Sequence, residues 1–428
     1  MKEKILINAR IIDPSQKIDE KGSLIIDANG KIKSIGKKVK KINSPNSEVF
    51  DLKGNLVIPG IVDMKAFVGE PGYEYKENFR TLSQAALAGG VTSIVTMPNT
   101  KPVIDNVSMV DFITRRGRDK AMVNLFPCAS LTRELQGKSM TEFGLLKLKG
   151  IIGFSDVTKT IQNTELMARI MNYASDIDVL IMQHAEDFEL SKNSCINEGE
   201  VATRLGLQGV SDIAEKIIIE RDLALLSEFT CRYHINQISS EKSLNVIKKN
   251  RKNGKKFTAG VSINNLSLNE NDIGEFKTFL KLSPPLRLEK DRLSLIQGIK
   301  ENFIDVIVSD HRPEDEESKR LPFAQAATGS IGIETLLPLA LEMYHNKSLP
   351  LNKIIEVLTV NPSKILKINK GTLQKGSAAD ICVVDLDAPW VVKAEKLKSK
   401  SKNTAIEDRK LQGKVLMTFL NGELVYSD

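Results

Sequence analysis

The stretch "PGIVDMKAFVGEPG", residues 59–72, decides the fold and raises the functional question. Ile61, Val62 and Met64 are apolar, Pro59-Gly60 opens the run, and Glu70-Pro71-Gly72 closes it. That pattern reads as a buried strand entering a loop. Residues two apart on a strand face the same way, so Lys65 and Phe67 share a face where the strand reaches its loop.

Residues 59–366 continue the theme by alternating short apolar strands with helical patterns. The strands include "GGVTSIVTM" (89–97), "MVNLFPCAS" (122–130), "KGIIGFS" (149–155), "DVLIMQHAE" (178–186), "RYHINQIS" (232–239), "KFTAGVS" (256–262) and "IDVIVSDH" (304–311). Between them lie helical stretches such as "TELMARIMNYASD" and "SDIAEKIIIERDLALLSEFT". This alternation predicts an α/β fold, an eight-stranded parallel (β/α)8 TIM-like barrel, with chemistry at the strand ends. The residues gathered there are Lys65, Phe67, Asn99, Asp156, Val157, His184, Gln237, Ser283 and Asp310. Both chain ends differ from this middle. Residues 1–58 and 367–428 hold short strands with Asn-Gly turns, as in "NGKIK" and "NGELV". They predict one small β-sandwich domain built from both termini.

Composition narrows the function classes. The 428 residues are 41% hydrophobic and 27% charged, ordinary values for a globular chain of one large and one small domain. The net charge of +7 includes lysine runs at 37–41, 248–256 and 396–402. With no interleaved aromatics, these read as solvated loops and helix ends, so no nucleic-acid partner is expected. Cys128, Cys195, Cys231 and Cys382 have no CxxC spacing and read as reduced thiols, which fits a cytoplasmic protein. No signal peptide and no membrane span are expected. Histidines number only four, at 184, 234, 311 and 345.

Several motifs resemble the dihydroorotases of the amidohydrolase superfamily. They are "PGIVDMKAFVGEPGYEYKENFRTLSQAALAGGVTSIVTMPNTKPVID", "INEGEVATRLGLQGVSDIAEKIIIERD", "LSPPLR", "IDVIVSDHRP", "GSIGIETLLPLAL" and "LTVNPSKIL…GTLQKGSAADICVVDLD". The similarity runs over about residues 5–425. Active members use zinc to polarise the carbonyl of a cyclic amide and to supply hydroxide. The resemblance implies two metal-binding histidines after the first strand, where this chain has Lys65 and Phe67. It implies a bridging aspartate where "FSDVT" has Val157, with Asp156 only adjacent. His184 keeps one imidazole position, Gln237 replaces another with His234 three residues away, and Asp310 keeps the proton-shuttling aspartate. At the substrate positions, Asn99 persists, whereas Gly69 stands for an arginine, Ser283 for an asparagine and Glu314 for a histidine. Asn264 and Asn265 replace two further imidazoles.

Two ligands fall short of the three that a catalytic zinc normally has. The expectation is therefore no metal and no cofactor, with the metal and substrate positions vestigial. Lys65 has two readings: a surface-leaning lysine at the barrel mouth, or an ammonium that replaces the metal charge and pairs with Asp310. His184, His234 and His311 read as hydrogen-bonded structural histidines, and His345 as a helix-end residue. The departures cluster at one place while turns and helix faces are intact. The resulting expectation is a catalytically inactive dihydroorotase-like protein, a structural or regulatory partner of aspartate carbamoyltransferase in pyrimidine biosynthesis, itself a homodimer. Two alternatives remain open. One is an active dihydroorotase or related zinc-dependent cyclic-amide hydrolase; the other is a small-molecule sensor using the vacated pocket.

Overall fold

The computed structural model describes residues 2–37 and 47–428; residues 38–41 of the first lysine run lie outside the described residues. The strand at the centre of the question spans Ile61–Ala66, and all six of its residues are buried. A strand covered on both faces is what a parallel barrel requires. Its neighbours follow in chain order as parallel pairs: Val91–Thr96, then Asn124–Pro127. Single bridges carry the ring onward through Phe154, from Ala129 on one side to Ile181 on the other. Leu180–Gln183, Arg232–Ile235, Thr258–Ser262 and Val306–Val308 complete it. The last strand returns to the first through the Ala66–His311 bridge and the Phe67 N–H donating to the His311 carbonyl at 2.9 Å.

A buried carboxylate holds this closure. Asp63 accepts the Ser309 N–H at 3.2 Å and the Ser309 hydroxyl, and it also accepts the Lys65 N–H at 3.3 Å. Burial raises its carboxyl to about 6 despite these donors.

Helices cover the barrel because their sequences carry both an apolar face and start signals. Phe79–Ala88 begins at Asn78, whose side chain accepts the Thr81 N–H while Thr81 bonds back to the Asn78 N–H. Thr164–Ile177 begins at Asn163 and buries Leu166, Met167, Ile170, Met171 and Ala174, the spacing of one helical face.

The chain ends meet in a single hydrogen-bonded sheet. Ile381–Val391 pairs antiparallel with Leu56–Pro59, which runs parallel to Glu3–Asp13; that strand pairs with Ile18–Ile26. Leu6, Ile11, Leu24, Ile26, Ile381, Val383 and Phe419 form this domain's own apolar core. The architecture is the predicted (β/α)8 barrel with a small β domain built from both chain ends, whose strands form one sheet. Among the described residues, no helix is long and apolar enough to cross a membrane.

Candidate active site

The first strand delivers Lys65 inward, as its position two before Phe67 requires. Its side chain is fully buried, which corrects the surface-leaning reading. The ammonium donates to Gln237 Oε1 at 2.5 Å and lies 3.0 Å from Asp310 Oδ1. Burial lowers the lysine from its ordinary value, and the Asp310 carboxylate opposes that shift. Three strand ends, of Ile61–Ala66, Arg232–Ile235 and Val306–Val308, thus converge on one nitrogen.

Phe67 is 5% exposed and turns towards a cavity of 430 Å³ at the barrel mouth. Gly69, Asn99, Val157 and Glu314 line the same cavity, whereas Lys65, His184, Gln237, Ser283 and Asp310 do not. The Arg312 guanidinium lies 5.3 Å from the Phe67 ring centroid, within cation–π range. Its Nε is 3.4 Å from Glu314 Oε1, and the other oxygen of Glu314 accepts Lys76 Nζ at 2.5 Å. Lys159 also lines the cavity, beside Asp156. Sequence reading missed Lys76, Lys159 and Arg312. Arg312 lies inside the quoted "SDHRP" motif and Lys76 inside "YEYKEN", so both were within view but carried no family role.

His184 and Ser283 form a separate pair at the rim. His184 Nε2 is 3.5 Å from Ser283 Oγ and 3.6 Å from Glu186 Oε2, while Nδ1 has no hydrogen-bond partner. Asp156 lines the cavity but is engaged by Thr132: its carboxylate accepts the Thr132 N–H at 3.0 Å and the Thr132 hydroxyl. Burial raises this carboxyl to about 6. Next to it, Val157 holds φ +66°, a left-handed conformation that a β-branched residue rarely adopts. Gly69 has φ +75°, and a Cβ there would lie 2.7 Å from the carbonyls of both Tyr73 and Glu77. The arginine of the family pattern has no room at this turn. His234 stands apart, buried, with Nδ1 2.8 Å from Thr258 Oγ1.

These residues do not fit a resident zinc. An ammonium, a phenyl ring, an isopropyl group and a carboxamide stand at Lys65, Phe67, Val157 and Gln237. Among the described residues, no three His, Cys, Asp or Glu side chains gather as a metal site. A separate groove, of 1820 Å³, runs past Arg292, Glu342 and Arg409, and none of the expected site residues line it.

The comparisons with known proteins agree with the architecture. A family model described as Dihydro-orotase-like matches residues 54–243. A dihydroorotase of Ehrlichia chaffeensis is 42% identical, covering 98% of this chain and 94% of that relative. A dihydroorotase of Syntrophus aciditrophicus is 40% identical, covering 99% of each. Among solved structures, the L-hydantoinase of Arthrobacter aurescens superposes with a TM-score of 0.88 at 23% identity, covering 100% of this chain and 96% of that one. The dihydropyrimidinase of Brevibacillus agri gives 0.85 at 20%, covering 99% and 95%. Those two likenesses speak to the fold.

The full-length relatives overturn the expectation of a catalytically inactive protein. They carry the name dihydroorotase and match throughout, and they favour the alternative of a working cyclic-amide hydrolase. The physical reason is that the departures are a handful of strand-end side chains. Losing those side chains removes one set of contacts but leaves a charged cavity at the mouth of an intact barrel. The companion role beside aspartate carbamoyltransferase loses the argument it rested on. By its match to these relatives over nearly its whole length, the chain belongs to the dihydroorotase family.

Proposed function

We propose that this chain is a cyclic-amide hydrolase of the dihydroorotase type, interconverting dihydroorotate and carbamoyl aspartate at the barrel mouth. The observation that carries the reading is the match, at 42% identity over 98% of the chain, to a protein named dihydroorotase. The mouth suits the substrate class. A 430 Å³ cavity is within the range of small-molecule sites. Lys159 and Arg312 supply cations for a ring carboxylate, the part played in the family pattern by the arginine that Gly69 replaces. Asn99 offers a neutral donor and acceptor.

The test is direct. Purified chain is incubated with dihydroorotate and, separately, with carbamoyl aspartate, and both compounds are followed by chromatography. Turnover in either direction, reduced by Arg312→Ala, supports the proposal. A well-folded protein that converts neither compound refutes it.

A further inference from the structure

Metal sites in proteins are often read by counting the ligands that remain. Here the informative feature is what occupies the space between them. The Lys65 nitrogen lies 2.5 Å from Gln237 Oε1 and 3.0 Å from Asp310 Oδ1, two other positions at which the family pattern expects a metal ligand or its catalytic neighbour. We infer that the Lys65 ammonium takes the place of the metal ion's charge at the barrel mouth, and that this mouth excludes a divalent transition metal.

Four observations converge on this. First, a fully buried lysine is rare unless it is paired, and this one has an anion and a carboxamide oxygen as partners. Second, Asp310 is the only acidic side chain in contact with that ammonium among the described residues, so an ion bound to Asp310 Oδ1 would compete with Lys65 for that oxygen. An ammonium has three N–H donors and no lone pair for an ion. Third, the Arg312 guanidinium over Phe67 adds a second positive charge beside the same strand end. Each cation already has its carboxylate, Asp310 for Lys65 and Glu314 for Arg312, so neither carboxylate is an unpaired anion for a divalent ion. Fourth, the remaining donors are held elsewhere. Asp156 is bound to Thr132, and His184 faces Ser283 and Glu186. That leaves one imidazole, His184, and two carboxylates, Asp156 and Asp310, already held by Thr132 and Lys65, short of three free protein ligands for a catalytic zinc.

Gln237 completes the exchange. A carboxamide oxygen accepts a hydrogen bond from an ammonium, whereas a neutral imidazole nitrogen suits a metal. Lys65 and Gln237 therefore read as a matched pair of changes around an unchanged Asp310.

The full chain, expressed in zinc-supplemented medium and dialysed, is assayed for metal by mass spectrometry and melted with zinc chloride or with EDTA. We expect far less than one zinc per chain and no difference between the two melts. The variant Lys65→His/Phe67→His/Val157→Asp/Gln237→His is expected to retain zinc and to melt higher with zinc than with EDTA. Stoichiometric zinc in the unaltered chain, lost on His184→Ala, overturns the inference whether or not the four-site variant folds. This outcome is separable from the proposed activity. Turnover with bound zinc sinks the charge replacement alone, and zinc-free protein without turnover sinks the activity alone.

Discussion

Replacing Lys65 with methionine tests the buried pair at its centre. Methionine has a similar length and no charge, so the substitution leaves little cavity and isolates electrostatics. The side chain removed is fully buried, and the Asp310 side chain left behind is only 11% exposed. Breaking one partner of a buried ion pair costs about 3–5 kcal/mol. Asp310 keeps slight access to water, which places the expected loss near the lower end, about 3 kcal/mol. Asp310→Asn removes the anion instead and leaves the ammonium with Gln237 Oε1 as acceptor. The decisive variant is Lys65→Met/Asp310→Asn, in which neither charge is orphaned. If the pair exists, the double variant loses less stability than the two single losses summed, by about 2 kcal/mol. Urea unfolding at neutral pH measures all three. Additive single losses, or an unchanged midpoint for Lys65→Met, refute the pairing.

Three further outcomes follow from the site. Gly69→Arg restores the family residue but is expected to cost about 2–3 kcal/mol, because φ is +75° and the Cβ meets two carbonyls; a stable, more active variant counts against that geometry. Val157→Asn relieves a left-handed β-branched residue but puts a carboxamide at a 2% exposed position in an apolar cluster, and it is expected to lower stability by about 1 kcal/mol, read by denaturant midpoint, whereas a gain would show that the strain outweighs the burial. His234 is held down to about 3, by burial first and then by the Arg251 charge. The unfolded chain binds that proton near pH 6.5, so this contribution is complete above about pH 6.5 and is lost as pH falls towards 3, by about 1.4 kcal/mol per unit. His234→Gln should flatten the acid limb of a stability–pH curve, and an identical slope in the variant contradicts the assignment.

The barrel was legible because its signal is local and repeated. Each strand carries its own apolar run and each helix its own face and cap, as at Asn78 and Asn163. The missing arginine at Gly69 and the missing carboxylate at Val157 were also visible, since motifs fix their positions. Two things were not legible. Asp156 remained free to swing inwards in the sequence, but it is pinned by Thr132, 24 residues earlier. The cations of the cavity, Lys76, Lys159 and Arg312, come from three separate loops, and their convergence has no local pattern.

The sequence by itself determined the family, the alternation that builds the ring, and the list of altered strand ends, because hydrophobic period and motif spacing are properties of short segments. The tertiary structure alone decided what the altered residues do. Lys65 and Gln237 are 172 positions apart, and only closure of the ring brings them, with Asp310, around one buried charge. A buried ammonium needs a compensating anion and acceptor, and their distance is set by the closed barrel rather than by any stretch of chain.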